Sequence, residues 1–387
     1  MIEFKSYIST RPEVSDAVGE IRDALKGFEA DLAVVFASQT YGAGLEDLAA
    51  GIREHVQSRN MIGCSAEGVV GPDCEVERSP GVAVWAAKMP GVAILPFVID
   101  QNDVTRFDNV EDWREYLGVE AGANPGFVVL ADPYSIDVER CLGQLDASYE
   151  GSKTIGGLAS GAAAAGENRL FSNDQVLRQG LVGVSLTGPV AIETVVSQGC
   201  RPIGEPFVVT KAERNVIFEL RGKPAVEVIR SLYASSPPGD QSLMQGGLHV
   251  GRVVDERQAQ FGQGDFLIRN LMGVVNDTAI AIGALVRPGQ TIQFHVRDSK
   301  SADEDMRTLI EGQLSRMAQP PKGGLLFTCN GRGVRLFGSP HHDIGVVNKL
   351  AEACCVSGFF AAGEIGPVGN KTFVHGLTSS LVLFSDA

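Results

Sequence analysis

The same order of elements recurs three times along this chain. Each pass begins with an apolar, strand-like run, continues with a segment of helical period, and ends in a glycine-rich turn and a second apolar run. The passes begin at Asp31 (DLAVVFAS), Gly126 (GFVVLA) and Gly324 (GLLFTC). Because strands buried on both faces read as continuous apolar runs, this order is typical of an α/β sheet with parallel strands. We expect one structural unit to be used three times, the alternative being chance recurrence of short β-α-β-β pieces.

The glycine-rich turns of the three passes differ in their polar residues. They read MIGCSAEGVVG at residues 61–71, TIGGLASG at 154–161 and GFFAAGEIG at 358–366. The third turn belongs to a longer segment, Val356 to Phe384, that places Glu364 and His375 between two apolar runs. This concentration of glycines with one carboxylate and one imidazole indicates a functional site in the last pass.

Charge and composition exclude several classes of partner. The 387 residues carry a formal net charge of -14, and no region gathers enough Lys and Arg to bind a phosphate backbone or an anionic membrane. The longest apolar run, residues 81–99, is broken by Lys88, Pro90 and Pro96, so no membrane insertion is expected. The seven cysteines are scattered without a CxxC pair, and no basic, apolar leader precedes them. These features favour a cytoplasmic protein.

The chain is long enough for about two domains. Residues 199–209 (GCRPIGEPFVV) contain glycine and proline and read as irregular, and the apolar pattern restarts at Val216. We therefore place the boundary near residue 210, giving domains of residues 1–210 and 211–387. Pro224 suits the first turn of one helix and Ser301 the N-cap of another. The expected architecture is α/β, with two packed halves whose sheets are built from the repeated unit and whose helices cover the outer faces.

A family resemblance becomes specific in the second half. The chain resembles the FIST family (F-box and intracellular signal transduction proteins) in four ordered segments, FELRGKPAVEVIRSL (218–232), ALVRPGQTIQFHVRDSKSADEDM (284–306), LLFTCNGRGVRLFG (325–338) and GFFAAGEIGPVGNKTFVHGLTSSLVLF (358–384). The upstream ADLAVVFASQTYG (30–42) and the first two glycine-rich turns are similar to the N-terminal FIST domain. The resemblance implies a sensory, signal-transduction role with a small polar or amino-acid-like ligand. Since the two halves use up the chain, any output is expected to come from a separate signalling protein.

The most specific candidate ligand site follows the strand of the third pass. Cys329, Asn330, Arg332 and Gly333 come directly after this strand, where clefts of α/β sheets form. Glycine lets the backbone approach a ligand closely, and a guanidinium can donate two hydrogen bonds to a carboxylate or phosphate. The alternative is that the glycines only make a turn and that Arg332 pairs with an internal acid such as Glu364.

Two carboxylates in glycine-rich turns are further candidates. Glu364 lies between apolar segments, so its charge needs a partner such as Arg332 or a ligand ammonium group. Glu67 holds the matching place in the first pass, and the second pass has Ser160 near that position. If the passes face each other, one pocket could be lined by both carboxylates. The alternative for Glu67 is a solvated turn residue.

Three residues complete the candidate ligand site. His375 precedes a strand with hydroxyl residues, although a lone histidine in such a place is more often structural. Arg297 and Asp298 end an alternating strand and match a segment of the family, and the alternative is that they close a turn by pairing with each other.

Catalysis and cofactor binding are the less favoured interpretations. Cys329 could act as a nucleophile with His375 as its base, in a thiol-dependent hydrolase or transferase. The run His341-His342-Asp343 offers too few metal ligands in an extended stretch, and Asp343 is better explained as the cap of the following helix. The glycine-rich turns match neither a P-loop nor a dinucleotide-binding fingerprint. We therefore expect no metal and no cofactor.

Overall fold

The computed structural model of the chain describes residues 1–258, 260–262 and 264–387. The chain forms two compact units that are interleaved in sequence. The first unit contains Met1–Val196, Arg307–Val374 and Ser379–Ala387, and the second contains Ser197–Met306 and His375–Thr378. The α/β class and the division into two parts are confirmed. The spatial units do not follow the sequence boundary near residue 210, which stays a prediction about domains.

The strands are numbered in chain order. They are β1 Glu3–Ser9, β2 Ala30–Ser38, β3 Ser58–Ala66, β4 Gly68–Val70, β5 Glu75–Glu77, β6 Val82–Lys88, β7 Ala93–Ile99, β8 Gly126–Ala131, β9 Lys153–Leu158, β10 Leu170–Ser172, β11 Gln175–Leu177, β12 Leu181–Thr187, β13 Val190–Gln198, β14 Cys200–Glu213, β15 Val216–Leu220, β16 Lys223–Pro224, β17 Leu248–Val253, β18 Phe266–Val275, β19 Ala279–Ile282, β20 Thr291–Arg297, β21 Gly323–Cys329, β22 Cys355–Ala361, β23 Glu364–Val368, β24 Lys371–His375 and β25 Thr378–Asp386.

The α-helices are numbered in the same way. They are α1 Val14–Leu25, α2 Leu45–His55, α3 Gln101–Arg106, α4 Val110–Leu117, α5 Val138–Ser148, α6 Ala225–Ser235, α7 Pro238–Gly246, α8 Ser299–Arg316, α9 Val334–Phe337 and α10 His342–Leu350. In the described ranges, no helix combines the length and the apolar character that crossing a membrane requires.

Three sheets of the first unit share one plan. Their strand orders are β1-β6-β2-β3-β10-β11, β7-β12-β8-β9-β23-β24 and β13-β25-β21-β22-β4-β5, which we call sheets 1, 2 and 3. Each sheet is centred on a parallel pair, β2 with β3, β8 with β9, and β21 with β22. The chain between the two strands of each pair contains α2, α5 or α10. The three passes of the sequence therefore correspond to the centres of three sheets.

Each sheet is completed by a hairpin from another pass. The β4–β5 hairpin of the first pass pairs with β22 of sheet 3, and the β10–β11 hairpin of the second pass pairs with β3 of sheet 1. The β23–β24 hairpin of the third pass pairs with β9 of sheet 2. The exchange is cyclic, so each pass donates one hairpin and receives another.

The buried strand β2 shows why its sequence is apolar throughout. Leu32, Val34 and Phe36 point into a core that sheets 1, 2 and 3 share, whereas Ala33 and Val35 face α1 and α2. The ring of Phe36 stacks on that of Phe359 from sheet 3, with centroids 5.0 Å apart. In the same way, α3, α4 and α5 cover the outer face of sheet 2. The outer position of these helices agrees with the expected layering.

The second unit is built on antiparallel strands. Its order is β14-β20-β17-β18-β19-β15-β16, and β14 also pairs with β15, which closes the sheet on itself. The segment read as irregular, residues 199–209, lies mostly in β14, so that expectation is wrong. Pro206 falls within the register shift between Ile203 and Phe207, where a missing N–H removes no ladder hydrogen bond. Helices α6 and α7 pack against one face.

Two predicted helix caps are also wrong. Helix α8 begins at Ser299, so Ser301 lies inside its first turn, and Asp298 Oδ1 accepts the N–H of Lys300 at 3.1 Å. Helix α10 begins at His342 with His341 at the N-cap position, so Asp343 lies inside its first turn. The Asp343 carboxylate does not cap the helix, because it accepts two hydrogen bonds from the guanidinium of Arg332.

Candidate functional site

The structure divides the predicted ligand-site residues between the two units. Cys329, Asn330, Arg332, Gly333, Glu364 and Glu67 belong to the first unit, and Arg297, Asp298 and His375 belong to the second. Each group is described within its own unit.

Arg332 is an internal residue held by Asp343. Its Nε lies 2.7 Å from Asp343 Oδ2 and its Nη2 lies 2.9 Å from Asp343 Oδ1, so the guanidinium donates in the two-pronged geometry that favours carboxylates. The side chains are 0% and 1% exposed. The predicted alternative, in which Arg332 pairs with an internal acid, is therefore realised with Asp343, a residue that the sequence had suggested as a helix cap.

Neighbouring side chains fix this ion pair from several sides. Thr328, at the end of β21, donates its hydroxyl to Asp343 Oδ2 at 2.6 Å, and His342 Nδ1 lies 2.9 Å from Asp343 Oδ1. The Arg332 guanidinium sits over the Phe337 ring at 5.2 Å, and this ring stacks on His342. Burial alone would raise the pKa of Asp343, but the Arg332 charge and these hydrogen bonds hold it well below its ordinary value.

A second buried carboxyl, Glu75, lies beside this pair. It reaches sheet 3 because the β4–β5 hairpin is exchanged onto β22. Its Oε1 accepts the N–H of Ile344 in α10 at 2.9 Å, and its own N–H donates to His341 Nδ1 at 2.9 Å. Burial, reinforced by the nearby charge of Asp343, raises the pKa of Glu75 to about 7. Sequence reasoning missed Glu75, since no local pattern reveals which sheet a hairpin joins.

Glu364 is the third carboxyl of the group. It is fully buried at the start of β23, as the sequence led us to expect. Burial disfavours the charged form of Arg332, but the charge and hydrogen bonds of Asp343 outweigh it, with contributions from Cys329 and Glu364, and the pKa of Arg332 is raised. We call Thr328, Arg332, His342, Asp343, Glu75 and Glu364 the Arg332 cluster.

Cys329 and Asn330 lie at the half-buried edge of this cluster. The N–H of Gly331 donates to Cys329 Sγ at 3.4 Å, and the N–H of Asn330 donates to Ala361 O on the parallel strand β22 at 3.0 Å. Asn330 Oδ1 is buried and accepts no hydrogen bond from any residue that the structure describes. The arrangement leaves an amide oxygen without a donor next to a thiol.

Gly333 has a structural reason to be glycine. Its φ is +60°, in the left-handed region, and a Cβ at this position would collide with the carboxylate of Glu77. Glu77 Oε1 accepts the N–H of Val334 at 2.9 Å. The close approach expected at Gly333 is thus made by a side chain of the exchanged hairpin.

Glu67 lies at a junction of the three passes. Its side chain is partly exposed, and its Oε1 lies 3.3 Å from Arg78 Nε. Its N–H donates to Ser160 Oγ at 2.8 Å, and the Ser160 hydroxyl donates to Phe360 O. The turns of the first and second passes therefore meet the end of β22 through one serine side chain.

The residues of the second unit have separate surroundings. Asp298 Oδ2 lies 3.0 Å from Arg201 Nε and also accepts the Ser301 hydroxyl, so its partner is Arg201. Burial alone would raise the pKa of Asp298, but these contacts hold it below its ordinary value. Arg297 ends β20, and His375 is buried at the end of β24.

Comparison with known proteins gives the family. The FIST N domain matches residues 31–223 and the FIST C domain matches residues 225–367. An uncharacterised protein of Mycobacterium tuberculosis is 41% identical over 390 residues, covering 98% of both chains. An uncharacterised protein of Mycobacterium bovis is 37% identical over 377 residues, covering 97% of this chain and 96% of the relative.

One solved structure illustrates a distant likeness. A cyanuric acid hydrolase from A. caulinodans superposes with a TM-score of 0.38 at 9% identity, covering 100% of this chain and 99% of the other. This likeness supports no conclusion about function. The match of both domain types over most of the residues does settle the family, and the chain belongs to the FIST family.

Proposed function

We propose that the protein is a cytoplasmic sensory protein that binds a small polar or amino-acid-like metabolite in the first unit, next to the Arg332 cluster. FIST domains are sensory signal-transduction domains. The observation that carries the proposal is the buried, preorganised charge at the end of β21, directly behind the half-buried Cys329 and Asn330.

The charges of the cluster suggest which ligand group approaches it. The guanidinium of Arg332 interacts with the carboxyls of Asp343 and Glu364, and the charge of Asp343 also acts on the carboxyl of Glu75. Burial makes an excess of negative charge unfavourable, and the raised pKa of Glu75 is one expression of this. A ligand ammonium group would neutralise the same negative charge, so Glu75 would not need to bind a proton.

The roles of the residues follow from their positions. Asn330 is the contact residue, because its side chain is only half buried and its Oδ1 lacks a donor among the described residues. Arg332 is a positioning residue, since Asp343 fixes it below the surface. A separate signalling protein would recognise the ligand-bound form of the protein.

A thermal-shift screen of amino acids, polyamines and other metabolites tests the proposal. A ligand at about 100 times its Kd should raise the free energy of unfolding by about 2.7 kcal/mol. Asn330→Ala should weaken binding of any hit at least several-fold. Asn102→Ala, an exposed change on α3, is the matched control and should leave binding unchanged. A hit that binds equally to both variants would place the ligand elsewhere.

A thiol-dependent hydrolase or transferase is the alternative proposal. The N–H of Gly331 donates to Cys329 Sγ, and Cys329 interacts electrostatically with Arg332, so a hydrogen-bond donor and a cation lie beside the sulfur, as a thiol nucleophile requires. Cys329→Ala separates the two functions, because a sensor should keep its affinity whereas a thiol enzyme should lose turnover of the compound it binds.

We also propose that the three passes are copies of one ancestral unit. The common strand order of sheets 1, 2 and 3 and the cyclic exchange of hairpins support this interpretation.

A further inference from the structure

Two histidines face each other on adjacent strands of the second unit. His249 of β17 is directly opposite His295 of β20, so their side chains lie on the same face of the sheet. His295 is 0% exposed. The core formed with α6 and α7 contains the alternate residues of β20, Ile292, Phe294 and Val296, so the two histidines are on the other face.

His295 is held in one orientation by its surroundings. Its Nδ1 lies 3.0 Å from Gln293 O, an acceptor, so Nδ1 carries the proton and Nε2 presents a lone pair. The ring packs at 4.9 Å against Phe266. Gly251 makes this position possible, because a Cβ there would collide with the imidazole. The imidazole is therefore a fixed acceptor.

The His249 ring donates to the Asn270 side chain, and because no partner is found for Nδ1 among the described residues, the donor is Nε2 and Nδ1 is an acceptor. Three acceptor atoms near this face lack donors. Within residues 1–258, 260–262 and 264–387, no hydrogen-bond partner is found for His295 Nε2, His249 Nδ1 or Gln198 Oε1, all of which are buried. Gln198 is oriented by its Nε2, which donates to Phe266 O at 2.7 Å. Buried acceptors without donors are rare and call for a ligand or water.

The charges around these acceptors restrict the ligand. Burial lowers the pKa of His295 to about 4, although the hydrogen bond to Gln293 O opposes it. Burial and the charge of Arg297 lower the pKa of His249 below its ordinary value, although the hydrogen bond to Asn270 opposes them, so both rings are neutral near pH 7. The charge of Arg297, which acts on His249, disfavours a cationic ligand there. The lone pairs of two neutral rings and the Asp305 carboxylate, which accepts the N–H of Gln198 at 2.8 Å, disfavour an anion.

We propose that this face of the second unit binds a small neutral ligand through N–H or O–H donors, of the kind a carboxamide provides, with His295 Nε2 and His249 Nδ1 as acceptors. This site is separate from the one proposed at the Arg332 cluster. A second ligand or effector could thus act on the same chain through different residues.

The test uses three probes of the same shape and different charge, namely acetamide, acetate and acetamidinium. The full chain, labelled with ¹⁵N in its six histidines, is titrated to about 100 mM, because probes of four heavy atoms bind weakly. Two-bond ¹H–¹⁵N spectra report each ring nitrogen. Acetamide should shift Nε2 of His295 and Nδ1 of His249 saturably, while the exposed His55 stays unchanged. Acetate and acetamidinium should shift them less.

His295→Phe provides the matched variant. Phenylalanine keeps the contact with Phe266 but has no acceptor, so the acetamide response of His249 should be lost. The variant also loses the hydrogen bond from Nδ1 to Gln293 O, so its free energy of unfolding should fall. The proposal is overturned if no probe shifts the two rings, which would leave water as the donor, or if a charged probe shifts them more. The titration of the unmodified chain decides these outcomes even if the variant does not fold.

Discussion

Arg332 and Asp343 form a two-pronged ion pair that water does not reach. Its two N–H to oxygen contacts measure 2.7 and 2.9 Å, and both side chains are at most 1% exposed. The pair joins the end of β21 to the first turn of α10, with Thr328 as a third member. Two elements of the third pass are therefore connected by charge where a core would ordinarily use apolar contacts.

Asp343→Ala should lower the free energy of unfolding by about 3–5 kcal/mol, because it leaves a buried guanidinium without its counter-charge. Urea unfolding monitored by circular dichroism measures this. Arg22→Ala breaks an exposed pair with Asp23 and should have little measurable effect. Equal losses in the two variants would contradict the role given to Asp343.

Glu75 should make stability depend on pH. Its pKa is raised in the folded protein from an ordinary 4.5 to about 7 by burial and by the charge of Asp343, with a smaller contribution from Glu77. The hydrogen bond from the N–H of Ile344 and the charge of His342 oppose this shift. The stabilising contribution is complete below pH 4.5 and is lost as the pH rises through about 7, because the folded protein holds a proton that the unfolded chain has released.

Glu75→Gln should remove this dependence. The free energy of unfolding of the variant relative to the unmodified protein should rise by roughly 1–3 kcal/mol between about pH 5 and about pH 8. Urea unfolding of both proteins across this range is the measurement. Parallel pH profiles would show that Glu75 titrates normally.

Ser160→Ala should destabilise the first unit by about 1–3 kcal/mol, since it removes a buried hydroxyl that accepts from Glu67 and donates to Phe360. Ser315→Ala is the control, because that hydroxyl donates to Gly312 O within α8, near the exposed end of the helix. Hydrogen exchange at the Glu67 amide adds a local readout. Unchanged protection there would show that the serine does not hold the junction.

Two glycine substitutions should have opposite effects. Gly333→Ala places a Cβ against Glu77 at a φ of +60° and should cost about 1–3 kcal/mol. Gly143→Ala lies in α5 with open space around the new Cβ, and should stabilise by about 0.5–1 kcal/mol. Thermal unfolding measures the change in melting temperature of each variant. Changes of the same sign in both variants would refute the packing argument.

Local patterns predicted the elements of the first unit well. Leu45, Leu48 and Ile52 repeat with helical period and are buried in α2, and the apolar run from Gly126 to Ala131 is strand β8. These signals depend on which face of a helix or strand is buried. The residues of that element alone determine this face. The α/β class and its two parts follow from them.

Features that depend on distant pairing could not be predicted. β14 was missed because its prolines break the local strand pattern, although its partner accommodates Pro206 in a register shift. Glu75 was missed because it becomes buried only when the β4–β5 hairpin joins sheet 3. The role of Asp343 was missed because its carboxylate binds Arg332 instead of the N–H groups at the start of α10. The site residues Cys329, Asn330, Arg332 and Glu364 were named, but sequence alone did not separate contact residues from internal ones.

The cyclic exchange of hairpins also governs how the chain is made. Ser357 donates its hydroxyl to Val70 O across 287 residues, so the first hairpin leaves the ribosome long before its partner strand exists. Contacts between residues so far apart in sequence favour slow folding. The part of the chain made first must also remain soluble while its sheet is incomplete. A fragment ending before β22 would keep β4–β5 without a place to pair. Truncation should therefore disturb the first pass even when the deleted residues lie entirely in the third.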